Sequence, residues 1–157
     1  MNKVKVIGIG SPYADDTVGW RAIEKLKQQH SLGTLLPARV DLIEADRPGI
    51  NLIQMFQGAD FVILIDAILD KSNRNIVIRV SNNQLISTQH AVSSHSMGVA
   101  NAIALADKLN ILPEKLLIIG LGIDRGGEES VTDRSIDVLA DAVTRELLDY
   151  LQGATSV

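Results

Sequence analysis

Two carboxylates and one imidazole stand at three separate places where an α/β protein could carry chemistry. Asp16 lies in the glycine-containing segment 8–19, Asp66 closes an apolar stretch, and His95 lies in the serine-rich run 93–96. Ligands of open α/β sheets bind beyond the carboxyl ends of the parallel strands, so we expect the three side chains to converge there. Carboxylate oxygens and an imidazole nitrogen suit a borderline divalent cation such as zinc or nickel. Three protein ligands would leave positions for water or substrate.

Each of these residues also has a structural interpretation. Asp15 or Asp16 could cap a helix and favour its positive end. His95 could cap the helix that follows it. Asp66 could serve a structural hydrogen bond, although burying a carboxylate is costly unless a partner compensates it. The residues alone leave both interpretations open.

Composition excludes several classes of protein. The chain has 157 residues, 46% of them hydrophobic, and it has no cysteine, which excludes disulfides, a cysteine nucleophile, iron–sulfur ligation and thiolate zinc sites. The net charge is −4 and no basic stripe is present, so we expect no nucleic-acid partner. The longest apolar runs, 61–69 and 116–123, are too short to span a membrane. We therefore expect a cytoplasmic protein that has no membrane segment and acts as a monomer.

Strands and helices alternate along the chain. Apolar runs and their β-branched residues predict strands over Val4–Ile9, Arg39–Glu44, Phe61–Ile65, Ile76–Val80 and Lys115–Ile123. Helical spacing and capping residues predict helices from Thr17 to about Gln29, over Ile50–Gln57, from Ser93 or Ser94 to about Leu109, and from the capping-box-like segment Ser130–Asp133 onward. The third of these is apolar around much of its circumference and is therefore predicted to be well buried. We expect one domain over residues 1–151 and a frayed tail over 152–157.

The predicted fold class is a single three-layer α/β/α domain. Its mostly parallel sheet has about five strands, with helices on both faces. Only about ten residues separate the third strand from the fourth, and a parallel crossover needs a dozen or more. The fourth strand is therefore predicted to be an antiparallel edge strand, which could pair with an extended substrate tail.

Several familiar motifs are absent from the sequence. The glycines at 8 and 10 lack the third glycine of a dinucleotide fingerprint, and no phosphate-binding loop, serine elbow or His-Glu-x-x-His motif occurs. A phospho-receiver domain is a closer alternative, because it has an acidic pair after strand one and a phosphorylated aspartate at the position of Asp66. Here, however, the acidic pair lies about six residues beyond the strand, and the expected lysine after strand five is missing.

The ordered set of motifs resembles the endopeptidases that mature nickel–iron hydrogenases. The resemblance rests on Gly8-Ile9-Gly10-Ser11-Pro12-x-x-Asp15-Asp16-x-x-Gly19, Ile65-Asp66-Ala67 and Ser94-His95-x-x-Gly98, and it extends to Gly120–Ile123 and to Gly126-Gly127 before the last helix. It implies a cytoplasmic protease that removes a C-terminal extension from the hydrogenase large-subunit precursor after nickel insertion. In the family, residues at the positions of Asp16, Asp66 and His95 form the metal site, and the nickel is supplied by the substrate.

The sequence departs from the family pattern at a few positions. Ser11 stands where the family usually has Asn, Thr17 where it often has Gly, and Ala45–Gly49 where it often has a Gly-Gly-Thr-x-Gly turn. These differences concern substrate preference, to which Asp46 and Arg47 could contribute.

A protease without cysteine or a serine elbow must activate water. A carboxylate within hydrogen-bond reach can act as its general base, and we expect Asp66 or Asp16 in this role. A non-catalytic, metal-responsive binding module is a further alternative.

Overall fold

The fold is an alternation of strands and helices, seen in a computed structural model that describes residues 2–12, 17–81, 84, 96–124 and 131–153. The strands are Val4–Gly10 (β1), Val40–Asp46 (β2), Phe61–Leu69 (β3), Val77–Ser81 (β4) and Lys115–Ile123 (β5). The α-helices of the described residues are Val18–Lys27 (α1), Leu52–Phe56 (α2), Ser96–Lys108 (α3) and Asp133–Gly153 (α4). Short 3₁₀ turns occupy His30–Leu32, Gly49–Asn51 and Lys71–Asn73.

The five strands form one sheet in the order β2-β1-β3-β5-β4. β1 pairs in parallel with β2 and β3, β3 pairs in parallel with β5, and β4 runs antiparallel to β5 at the edge. This confirms the predicted mixed sheet. Residues 70–76 between β3 and β4 contain only one 3₁₀ turn, which is too little chain for a parallel crossover.

The core has two halves, one on each face of the sheet. Side chains of β3 alternate between them: Phe61, Ile63 and Ile65 pack with α1 and α4, whereas Val62 and Leu64 pack with α2 and α3. The predicted three layers, with helices on both faces, are therefore confirmed. None of the helices in the described part of the chain is long and apolar enough to cross a membrane.

The ends of several elements differ from the sequence-based prediction. β3 does not end before Asp66 but continues to Leu69, since β5 pairs with it along its whole length. Thr17 occupies the N-cap position of α1, where we expected Asp15 or Asp16. The α4 cap is Thr132, whose Oγ1 accepts a hydrogen bond from the Ser135 N–H at 3.1 Å; the capping box predicted from Ser130 is therefore wrong, although Ser130 itself lies outside the described residues.

Two helices also differ in extent or burial. The predicted helix over Ile50–Gln57 is divided into a 3₁₀ turn and the short α2. Among the described side chains of α3, the buried ones form one stripe of Val99, Ala102, Ile103 and Ala106, so the prediction of a well-buried helix is wrong. The start predicted at Ser93 or Ser94 lies outside the described residues. α4 includes Gln152 and Gly153, which we expected in the tail, and residues 154–157 are not described.

Candidate active site

Asp66 lies inside the sheet, near the carboxyl end of its central strand. It pairs with Gly120 of β5, and the residue is only 2% exposed. Its Oδ1 accepts a hydrogen bond from the Ala67 N–H at 2.8 Å. A carboxylate in such a place is expensive to desolvate, so its presence in an otherwise apolar strand calls for a compensating role.

The side chain of Asp66 is directed to the α2/α3 face of the sheet. Leu64, two residues earlier, belongs to the core half under those helices, and side chains two apart in a strand share a face. Gly120 opposite Asp66 leaves room there for a neighbouring side chain: a Cβ on Gly120 would lie 2.4 Å from Ile68 Cδ1. Glycine at this position therefore leaves room for the side chain of Ile68, which is two residues after Asp66 on the same strand.

α3 begins close to this end of the sheet. Its first residue, Ser96, directly follows His95 in the sequence. A Cβ on Gly98 in its first turn would lie 3.3 Å from the Cα of Gly49, in the turn that follows β2. α3, which follows His95 in the sequence, is thus held against the carboxyl end of the parallel strands.

α1 starts at the same end through direct contact between two glycines. A Cβ on Gly8 would lie 2.3 Å from the Gly19 carbonyl oxygen, and a Cβ on Gly19 would lie 2.3 Å from the Ile9 carbonyl oxygen and 2.7 Å from that of Ile65. Real Cβ atoms do not approach so closely, so these two glycines permit the backbone of α1 to lie on β1 and β3. Ile65 immediately precedes Asp66, and α1 begins two residues after Asp16.

The segments after β1 and β2 are joined at this edge. The Arg47 N–H donates to the Gly10 carbonyl oxygen at 3.0 Å, and Arg47 has a φ of 43°, which is uncommon for a residue with a side chain. The Arg47 guanidinium pairs with the adjacent Asp46 at 2.7 Å. Ser11, next to Gly10, is fully buried. A backbone hydrogen bond therefore joins the ends of β1 and β2 at the carboxyl edge, next to the buried side chain of Ser11.

Of the three predicted site residues, the structure describes only Asp66. Asp16 and His95 lie outside the described residues, so their positions stay predictions. Among the residues that are described, no three histidine, aspartate or glutamate side chains lie together in a way that could hold a metal ion. Of the three predicted ligands, the described part thus supplies the carboxylate of Asp66. The segments that flank the other two residues in the sequence start α1 and α3.

The sequence motif contained residues whose roles only the packing reveals. Gly8 and Gly19 belong to the glycine-containing segment, but nothing in their spacing shows that they touch each other. Ser11 appeared only as a departure from the family pattern, and its complete burial was not foreseen. A glycine inside a predicted strand, followed by one at the start of the next predicted helix, is the signal that could have indicated close packing of α1.

One surface groove of the described residues lies away from Asp66. It has a volume of about 550 Å³, runs over α1 and is lined by Trp20, Arg21, Lys25 and Glu44, among others. Its cations are already paired across to α4: Arg21 with Asp133 at 2.7 Å and Lys25 with Asp137 at 2.9 Å. These pairs tie two helices together, and we therefore assign the chemistry to Asp66 rather than to this groove.

The fold and the buried carboxylate near the carboxyl ends of its strands describe an α/β protein with a candidate active site. Comparison with known sequences gives its family. The family model described as HycI, hydrogenase maturation protease, matches residues 20–145. The chain therefore belongs to the hydrogenase maturation protease family, a family of peptidases.

Individual relatives agree with this family. The chain is 24% identical to the hydrogenase 2 maturation protease of Escherichia coli over 122 residues, which are 76% of this chain and 72% of that protein. It is 30% identical over 122 residues to the hydrogenase expression/formation protein HupD of Thiocapsa roseopersicina, again 76% of this chain but only 53% of the relative. The match thus spans between about half and three quarters of these relatives.

Solved structures share the fold. The hydrogenase maturating endopeptidase HybD of Escherichia coli superposes with a TM-score of 0.71 at 20% identity, covering 97% of this chain and 93% of that one. The [NiFe] hydrogenase maturation protease HybD of Thermococcus kodakarensis gives a TM-score of 0.64 at 20% identity, covering 92% and 98%. The superpositions extend over nearly the whole of each chain.

Proposed function

We propose that this protein is an endopeptidase that removes the C-terminal extension of a nickel–iron hydrogenase large-subunit precursor after nickel has been inserted. Family membership supports the protease activity and the hydrogenase precursor as partner. The observation that carries the proposal within this chain is the burial of Asp66 at the carboxyl edge, where α/β enzymes bind their substrates.

Asp66 and Asp16 are the candidates for the general base. A carboxylate within hydrogen-bond reach of a water molecule accepts the proton as that water attacks the scissile carbonyl, and such proton transfer contributes about 10²- to 10⁴-fold to the rate. Asp66 is suited to this role because the sheet fixes its backbone: Asp66 pairs with Gly120 of β5, and the preceding residue, Ile65, pairs with Gly8 of β1. A base that is held in position keeps the alignment that fast proton transfer requires.

Asp16, Asp66 and His95 are proposed to contact the nickel that the precursor carries. Two carboxylates and an imidazole match a borderline divalent ion, and in this proposal the metal is part of the substrate. We expect the isolated protein to bind nickel weakly, because three ligands without the substrate's own donors form an incomplete site. Isothermal titration of the purified protein with nickel checks this, and tight binding of one equivalent would contradict it.

Cleavage of the nickel-loaded precursor tests the proposed function. Wild-type protein should release a C-terminal peptide, and Asp16→Asn and His95→Ala should fail to do so while keeping the circular dichroism spectrum of the folded protein. If wild-type protein binds the precursor and never shortens it, the chain is a binding module and the proposal is wrong.

The receiver-domain alternative has its own test. Acetyl phosphate would label Asp66 of a receiver domain, whereas we expect no labelling here. The lysine that a receiver domain carries after strand five is missing from this sequence. The family match does not favour this alternative either.

We also propose that the protein acts in the cytoplasm as a monomer. One compact sheet positions every described element of the candidate site, so the site needs no second copy. Sedimentation of the purified protein should give a single species of about 17.0 kDa, and a stable dimer would contradict the monomer.

A further inference from the structure

Exposed apolar side chains are unevenly placed around the sheet. In the described part of the chain, five large hydrophobic residues are substantially exposed, namely Ile50 (63%), Leu109 (55%), Ile76 (51%), Val138 (48%) and Ile111 (44%). Ile50 follows β2 and Ile76 precedes β4, so both lie at the carboxyl edge with Asp66. Leu109 and Ile111 lie between α3 and β5, at the opposite edge. The two pairs therefore provide a natural comparison.

Ile76 lies on the same face of the sheet as Asp66. Its carbonyl oxygen accepts a hydrogen bond from the Gly122 N–H at 3.0 Å, which fixes its backbone beside β5. The next side chain, Val77, packs against the core half under α1 and α4. Because successive side chains of an extended strand alternate, Ile76 is directed to the α2/α3 face, as Asp66 is.

Ile50 lies on the other side of Asp66, beside the start of α3. It occupies the turn Gly49–Asn51, whose Gly49 is in backbone contact with Gly98 of α3. This turn follows β2, and β2 is two strands from β3 in one direction just as β4 is two strands from it in the other. Asp66 is therefore flanked by one exposed isoleucine on each side.

The spacing of the two isoleucines fits an extended peptide. Neighbouring strands lie about 4.8 Å apart, so each isoleucine is displaced from Asp66 by about 10 Å in the direction perpendicular to the strands. An extended chain advances about 3.3 Å per residue, which makes this distance about three residues. We propose that Ile50 and Ile76 anchor the extended segment of the precursor around its scissile bond by contacting apolar side chains about three residues before and after that bond. This inference rests on the proposed function.

Steady-state kinetics tests the anchors against a matched control. Ile50→Ser and Ile76→Ser should each raise the KM for nickel-loaded precursor about fivefold or more at unchanged kcat, since each removes a half-exposed aliphatic contact and no reacting group. Leu109→Ser and Ile111→Ser, at the opposite edge, should leave both constants within twofold. Unchanged KM in the Ile50 and Ile76 variants, with active wild-type protein, would overturn the inference and leave the proposed function standing.

Crosslinking locates the bound segment without depending on cleavage. Because the chain has no cysteine, Ile50→Cys or Ile76→Cys provides a unique attachment point for a benzophenone label added before the precursor. Photolysis should join each label to the precursor within a few residues of its cleavage position, and labelled Leu109→Cys should not. Crosslinks to the body of the precursor or to a second copy of this chain would overturn the inference. Absence of cleavage by wild-type protein with crosslinks in the expected segment would instead remove the proposed protease function.

Discussion

Two aspartates near the two ends of β3 have different surroundings, since Asp60 directly precedes the strand and Asp66 lies within it. Asp60 precedes Phe61 at the amino end of β3, is half-buried, and accepts a hydrogen bond from the Lys3 N–H through Oδ2 at 2.8 Å. The carbonyl oxygen of Asp60 also accepts a hydrogen bond from the Lys115 N–H at 3.0 Å. Asp66 lies six residues later at the carboxyl end and is only 2% exposed.

The difference teaches how position in a sheet assigns a role to a carboxylate. Asp60 joins the first residues of three neighbouring strands and so secures a corner of the fold. Asp66 is buried where parallel strands end and where two helices begin, and it occupies the region in which α/β proteins bind ligands. The same residue type thus stabilises the structure at one end of β3 and is available for chemistry at the other.

The largest expected effect is on the cleavage rate, which should depend on Asp66 and not on Asp60. Asp66→Asn keeps the size and an acceptor oxygen but cannot take up a proton, so the single-turnover cleavage rate should fall about 10³-fold. Asp60→Asn should leave that rate within twofold. Equal losses in the two variants, at equal folded fraction, would show that Asp66 contributes only to structure.

A second effect compares close packing at the carboxyl edge with open space at a helix end. Gly19→Ala places a methyl group 2.3 Å from the Ile9 carbonyl oxygen, and the forced backbone shift should lower the free energy of unfolding by about 3 kcal/mol. Nothing lies within 4 Å of a Cβ on Gly153, so Gly153→Ala should change it by less than about 0.5 kcal/mol. Urea unfolding measures both; similar values would show that the two backbones do not pack as described.

The smallest expected effect concerns Tyr150, whose ring is 4.7 Å from that of Phe61 at the amino end of β3. Burial raises the pKa of Tyr150, and the negative charge of Asp60 raises it further. Asp60→Asn should therefore lower the pKa of Tyr150 slightly, whereas Asp66→Asn should not. Absorbance titration of the phenolate in a Tyr13→Phe background measures this. No change on removing Asp60 would show that its charge does not reach the ring.

The raised pKa of Tyr150 also has a consequence for stability. The folded state favours the protonated phenol, so the stabilisation is complete below the ordinary tyrosine pKa and is lost as the pH rises through the folded value. Stability should therefore decline at alkaline pH less steeply in Tyr150→Phe than in wild-type protein.

Much of the fold could be predicted because strong local signals agreed with the sheet. The apolar run Lys115–Ile123 was predicted as a strand with the bounds that β5 has, and the short link before β4 predicted an antiparallel edge. The end of β3 could not be predicted in the same way. A charged residue usually ends an apolar strand, but pairing with β5 continues to Leu69 and draws Asp66 into the sheet.

The candidate site was predictable only in part. The sequence predicted Asp66 at the end of a central strand, and the structure places it within that strand, three residues before its end. The contact between Gly8 and Gly19, by contrast, depends on how α1 crosses β1, and residues eleven apart in sequence carry no local sign of it. Asp16 and His95 remain predictions from the resemblance and from their places in the sequence shortly before α1 and α3.

The most direct test of this account is the intact mass of a hydrogenase large-subunit precursor after incubation with this protein, with and without nickel in the precursor. We predict that the nickel-loaded precursor loses one C-terminal peptide and that the nickel-free precursor keeps its full mass. Cleavage of both forms at equal rates would contradict recognition through the substrate's nickel, and cleavage of neither would contradict the protease function itself.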